Sequence, residues 1–113
     1  MIVGLGDIMM DFACYAQAPV LYGTDCFVKA KISPGGSAAN FAVWAARLGA
    51  EAGLIAKVGD DVLGDSLLED LTREGVVSGV ARGKEATGFT FLIVDESGER
   101  TMLAARGATS TLS

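Results

Sequence analysis

The run Gly35-Gly36-Ser37-Ala38-Ala39-Asn40 places two glycines just ahead of an amide side chain, with Pro34 closing the segment before them. Glycine adopts backbone geometries that a Cβ forbids and lets the chain approach a ligand closely. The alanines predict a helix starting here, so Asn40 falls on its first turn, where free N–H groups can donate to a polar ligand. The hexapeptide reads as a ligand cradle. It is also compatible with an ordinary helix start capped by Ser37, in which the Asn40 side chain merely ties the turn together. Asp11 stands at the end of the first strand region, where ligands gather in open α/β folds. Its carboxylate can accept hydrogen bonds from two neighbouring hydroxyls of a polyol, or it is a solvated loop aspartate. Arg106 can hold a carboxylate or phosphate, or stand as a surface residue. Asp60 and Asp61 invite a metal reading, but paired carboxylates at a helix start fit cap and dipole roles better.

Several function classes fall away. The chain has no histidine, which removes His-dependent triads and the commonest metal sites from it. With a net charge of −5 and its basic residues scattered, it does not offer a nucleic-acid surface. No apolar stretch approaches the roughly 20 residues of a membrane helix. No basic region precedes Ile2-Val3-Gly4-Leu5, so no secretory signal is visible and a cytoplasmic location is expected. Cys14 and Cys26 are too few for a zinc site. They fall on segments that can be neighbouring strands, and free thiols packed as small apolar groups are the favoured reading. Gly4-x-Gly6 lacks the third glycine of a dinucleotide fingerprint. Hydrophobic residues at 50% and charged residues at 20% suit one small globular unit in 113 residues.

The elements that must position these groups alternate. Ile2 to Leu5 suits a buried parallel strand. Asp11 to Ala16 and Cys26 to Ile32 read as extended, with Pro19 and Gly23-Thr24 breaking the chain between them. The second of these alternates, with Phe27, Lys29 and Lys31 on one side and Val28, Ala30 and Ile32 on the other. Ala38 to Leu48 predicts a helix with Phe41, Trp44 or Ala45, and Leu48 at helical spacing, stopped by Gly49. Leu54 to Val58 is the next core strand. Asp60 then caps a helix through Leu63, Leu67, Leu68 and Leu71 that ends at Gly75, and Val76 to Ala81 follows as a third strand. Phe89 to Val94 and Arg100 to Ala105 form a hairpin around Asp95-Glu96-Ser97-Gly98, with Phe89, Phe91 and Met102 on an inner face or simply in a core. The fold class is therefore α/β: a Rossmann-like parallel sheet flanked by helices, with a separate, mostly antiparallel β layer. So few parallel strands leave an unpaired edge and an apolar face uncovered.

The stretch from Gly35 to Gly64 resembles the first signature of the ribokinase-like (PfkB) carbohydrate kinase family. A glycine pair, an asparagine, a helix ending in Leu48-Gly49 and the turn Val58-Gly59-Asp60-Asp61-Val62-Leu63-Gly64 carry the likeness. Gly6-Asp7-Ile8-Met9-Met10-Asp11 resembles the family's opening strand with its substrate-facing aspartate. Thr87-Gly88, Ile93-Val94-Asp95 and Gly98-Glu99-Arg100-Thr101 resemble its later lid strands. The resemblance implies an incomplete ribokinase-like fold over residues 1–113, with lid strands at about 11–32 and 88–105. It implies a sugar or related polyol as substrate, bound by Asp11, Gly35, Gly36, Ser37, Asn40 and Arg106, and a homodimer formed through the lid. Ser37 is compatible with many sugar kinases and with nucleoside kinases. Thr109 stands where family members often carry the asparagine of Gly-Ala-Asn. ATP and Mg²⁺ are implied for a complete enzyme and for no site in this segment. The family's catalytic aspartate lies in a later Gly-Ala-Gly-Asp-like motif that nothing here matches. The expectation is a substrate-binding amino-terminal portion that is inactive alone; the alternative is a non-catalytic sugar-binding or dimerisation module.

Overall fold

The apolar amino-terminal run forms β1 (Ile2–Leu5), and the chain then crosses through Gly6-Asp7-Ile8 into a strand of a different sheet, β2 (Met9–Ala16). The computed structural model describes residues 1–113 except Tyr22, Thr24 and Ser113. Half of the expected Gly23-Thr24 break thus lies outside the described residues. The order continues with β3 (Val28–Gly35), α1 (Ser37–Arg47), β4 (Ala52–Gly59), α2 (Val62–Arg73), β5 (Val77–Gly83), β6 (Phe89–Val94) and β7 (Arg100–Ala105), ending in a short 3-10 turn, Gly107–Thr111. Strands β1, β4 and β5 make an all-parallel sheet in the order β1-β4-β5, joined by crossovers that carry the helices. The lid is a separate sheet in the order β3-β2-β6-β7. Its outer pairings are antiparallel, and its central pairing, β2 with β6, is parallel.

Asp11 is the third residue of lid strand β2 and does not end β1, because the chain switches sheets at Asp7-Ile8. The core lies between the helices and the parallel sheet, built on Leu54, Ala56, Val58, Leu67 and Leu71. The face of α1 that enters it is Ala39 and Ala42, whereas Phe41, Trp44 and Leu48 are exposed. Helix and strand meet closely at Gly4: a Cβ there would stand 3.1 Å from the Ala38 carbonyl and 3.6 Å from Phe41 Cδ2, so the half-exposed Phe41 ring covers the glycine from the edge of the contact. On the far side of the sheet, Val3, Leu5, Ile55 and Val77 are exposed.

The N-cap of α2 is Asp61 rather than Asp60. Its Oδ1 accepts from the Gly64 N–H at 2.8 Å, three residues on, while the Asp60 carboxylate points to the Arg82 guanidinium at 3.7 Å. Asp61 also accepts from the Thr87 N–H at 2.9 Å and the Thr87 hydroxyl at 2.5 Å. Thr87 is buried, and its hydroxyl oxygen accepts from the Gly59 N–H at 2.9 Å. Arg82 donates to the carbonyls of Gly59 and Asp61 and pairs with Asp65 at 2.7 Å. The end of β4, the start of α2, the end of β5 and the root of β6 are thereby pinned to one node. Burial works to raise the Asp61 carboxyl, but the Thr87 and Gly64 hydrogen bonds and the Arg82 charge outweigh it and hold it below the ordinary value of 3.8.

Replacing Thr87 by valine leaves the Gly59 N–H and one Asp61 bond without a partner, and should cost about 1–3 kcal/mol in chemical denaturation. A depressed carboxylate stabilises the fold above its unfolded pKa, and that contribution disappears as pH falls through the folded value. The loss on Thr87→Val should therefore be full at pH 7 and shrink as the pH is lowered through and below about 4. An unchanged midpoint at pH 7 would remove this node from the account of stability.

Candidate functional site

Alternation along the lid strands separates two faces. Register places Asp11, Ala13 and Tyr15 of β2 on one face with Lys29, Lys31 and Ser33 of β3, Thr90 and Leu92 of β6, and Met102 of β7. The other face carries Met10, Phe12, Ile32, Phe89, Phe91 and Leu103. Phe12 stacks on Phe91 at 4.9 Å between ring centroids and meets Phe89 edge-on at 6.3 Å. Phe89 and Phe91 therefore lie on the face opposite Met102 and do not form one wall with it. The Asp11 face encloses a groove of about 260 Å³, lined by Asp11, Tyr15, Lys31, Ser33, Thr90 and Met102 among others.

Asp11 is held at the root of this groove. Its Oδ1 accepts from the Thr90 hydroxyl at 2.7 Å across the β2–β6 pair. Its second oxygen, Oδ2, lies where a Cβ on Gly35 would stand, so any side chain there would displace the carboxylate. Gly36 has φ +97°, a conformation glycine favours, and a Cβ there would strike the Asp7 carbonyl. That carbonyl accepts from the Ala39 N–H at 3.2 Å, which sets α1 against the start of the lid. The Gly35-Gly36 pair is thus required by the Asp11 carboxylate on one side and the Asp7 backbone on the other.

The remaining expected residues lie elsewhere. Ser37 is the first residue of α1 and exposed; Gly36 occupies the N-cap position, and no side chain caps it. Asn40 is exposed on the first turn of α1 and lines a second groove of about 220 Å³, with Pro34, Val43, Trp44, Arg47 and Glu74. Pro34 does not close the extended segment: β3 runs on through Pro34 and Gly35, which pair with Met10 and Met9. Asp11 and Asn40 line two different hollows beside the β3–α1 junction. Arg47 closes the second groove with a forked pair to Glu74, at 2.8 and 2.6 Å, and lies 5.3 Å over the Trp44 ring. Arg106 is in neither groove and donates to Asp7 Oδ1 at 3.3 Å. Thr109 is buried, and its hydroxyl bonds the N–H and carbonyl of Ile8, both at 3.3 Å. Sequence reasoning passed over Thr90, Ser33 and Asp7. The period-two pattern of β3 and β6 carried the signal for the first two, while Asp7 acts partly through its backbone and leaves no residue-type signal.

Both cysteines are free thiols. No group of three or more potential metal ligands occurs among the described residues, and no described helix is long and apolar enough to cross a membrane.

The family model for pfkB family carbohydrate kinases matches residues 1–113. The chain belongs to the pfkB family of carbohydrate kinases. It is 32% identical over 114 aligned positions to fructokinase-1 of Oryza sativa subsp. japonica, covering 99% of this chain and 34% of that protein. Among solved structures, it superposes on ribokinase from Giardia lamblia with a TM-score of 0.88 at 25% identity, covering 95% of this chain and 36% of that one. It also superposes on ribokinase from Cryptococcus neoformans var. grubii in complex with ADP, with a TM-score of 0.79 at 26% identity, covering 95% of this chain and 34% of that one. The chain thus spans about a third of the length of these relatives and presents the matching part of the ribokinase-like fold: the parallel sheet with its helices, and the lid.

In this pfkB chain the Asp11–Gly35 contact makes a sharp requirement. Gly35→Ala should displace the Asp11 carboxylate and break its bond to Thr90. NMR should show backbone amide shifts concentrated at Asp11, Gly35 and Thr90, with the α2 resonances unmoved. Shifts spread evenly over the chain would mean that the glycine serves the fold as a whole.

Proposed function

We propose that this segment is the sugar-binding, amino-terminal portion of an ATP-dependent carbohydrate kinase that transfers the γ-phosphoryl group to a sugar hydroxyl. The observation that carries the reading is the Asp11 carboxylate, fixed by Thr90 and accommodated by Gly35 at the root of an open groove in a pfkB chain. A carboxylate offered this way accepts from adjacent hydroxyls, which is the chemistry a polyol presents. In this reading a sugar lies over the Gly35-Gly36 junction of β3 and α1, drawing on Asp11 from the lid groove and, across the junction, on the Asn40 amide and Ser37 of α1. Arg106 reaches the sugar only by giving up Asp7. Binding and orientation are this segment's part; in-line transfer needs the hydroxyl held close to the phosphoryl group. ATP with Mg²⁺, and the aspartate that takes the hydroxyl proton, belong to the remainder of a kinase of this family. The setting is the cytoplasm, where ATP is available.

Asp11→Asn or Asn40→Ala in a kinase carrying this segment should raise KM for the sugar much more than KM for ATP. Equal effects on both would count against the assignment. The 113-residue chain by itself, incubated with sugar, ATP and Mg²⁺, should form no ADP above background. Turnover sensitive to Asp11→Asn would show that the segment holds its own chemistry.

A second reading, pairing of two chains through the lid, is favoured by the apolar lid face. Ile32 is 61% and Leu103 55% exposed there, and the opposite groove is left free. Ile32→Lys should turn a concentration-dependent dimer into a monomer in light scattering; a parent chain that stays monomeric at all concentrations would end the dimer reading.

A further inference from the structure

We infer that the lid groove takes a sugar carrying an anionic group, a sugar acid or a sugar phosphate, with Lys31 as the residue that recognises the anion. This deepens the sugar-binding reading and rests on it. The first observation is the distribution of charge. The chain carries 9 basic and 14 acidic residues. On the lid strands, however, Lys29, Lys31 and Arg100 all fall on the groove face, and Asp11 is the sole carboxylate there. The opposite lid face holds no charged residue in the paired positions. Among the described residues, none of these three cations has an ion pair. Of the three, Lys31 lines the groove itself, and a cation without an acidic partner draws anions.

The second observation is geometric. Asp11 pairs directly with Ser33, so Lys31 is its diagonal neighbour on the same face, about 7–8 Å away along the adjacent strand. Both line the one groove, with Ser33 and Thr90 near the Asp11 end and Tyr15 and Met102 along the wall. The two ends differ in chemistry. Asp11 accepts from hydroxyls, whereas an ammonium can only donate and prefers a carboxylate or phosphate. A five- or six-carbon chain with vicinal hydroxyls at one end and an anion at the other spans the interval. Arg106 does not compete for this role, because it is paired with Asp7 outside the groove.

The test uses a matched pair of ligands: D-fructose and 2-keto-D-gluconate, which carries a carboxylate in place of a hydroxymethyl group. Each is titrated into the 113-residue chain and followed by backbone amide shifts at Asp11, Lys31 and Thr90. The expected result is a preference of about fivefold or more for the acid, in the range an exposed ion pair supplies. The preference should shrink as salt is added. In Lys31→Gln the ratio of the two affinities should fall towards one, while Asp11→Asn should weaken both ligands together. Equal affinities in the parent chain, or a preference that survives Lys31→Gln, would overturn the inference and leave the sugar reading standing. Failure of both ligands to shift Asp11 and Thr90 would overturn the sugar reading, and this inference with it.

Discussion

Everything in this chain hangs on a narrow seam between two sheets that share no strand. The parallel sheet and the lid meet where Gly6-Asp7-Ile8 leaves β1, where Gly35-Gly36 enters α1, and where Thr87-Gly88 enters β6. Backbone groups at such a seam have no ladder to satisfy them and must be paired by other means. Two buried threonines help to do it: Thr87 bonds the Gly59 N–H and Asp61, and Thr109 bonds both backbone groups of Ile8. Direct backbone bonds complete the seam, from the Met10 N–H to the Gly88 carbonyl at 3.0 Å and from the Ala108 N–H to the Ala86 carbonyl at 2.7 Å. Buried polar groups of this kind are costly when unpaired, so the seam adopts one arrangement rather than several. Asp11 lies a few residues beyond it. Its carboxylate is therefore placed relative to α1 by the same bonds that fix the lid.

The lid then divides its work by the pleat. One face is wholly uncharged in its paired positions and carries the Phe12, Phe89 and Phe91 cluster. The other carries the groove, its lone carboxylate and its cations. Strict alternation lets each strand serve both roles at once, and a slip of one residue would exchange them. The parallel β2–β6 pair at the centre brings Thr90 beside Asp11, from positions 79 residues apart in sequence.

This arrangement explains what was readable in the sequence. The hairpin of β6 and β7 and the extended β3 declared themselves through turn residues and period, and the three parallel strands through short apolar runs, although β1, expected to be buried, keeps Ile2, Val3 and Leu5 exposed. The Gly35-Gly36 pair announced that something comes close to its backbone; that the close neighbour is Asp11, and that the strand runs on through Pro34 and Gly35, required the long-range pairing of β2 with β3. The buried face of α1 was not legible, because helical spacing picks out Phe41, Trp44 and Leu48 as readily as the alanines, and Ala39 and Ala42 are the ones buried. What the helix packs on, Gly4 among it, lies on other elements and leaves no mark in the helix's own spacing. The cap of α2 shifted from Asp60 to Asp61 for a similar reason. Both are equally good caps by type, and only Asp61 also reaches Thr87.

The two sheets also differ in what they leave open. A parallel sheet is normally covered on both faces, and here Val3, Leu5, Ile55 and Val77 stand exposed on the side away from the helices. Burying such side chains contributes roughly 25 cal/mol per Å² of apolar surface, so whatever covers that face changes the stability of the sheet substantially. None of the groove residues lies on it. Asp11, Gly35 and Thr90 are held by lid pairings and by the seam, with no residue of that exposed face among their partners. Cover over the parallel sheet can therefore strengthen the scaffold without touching the residues that line the groove.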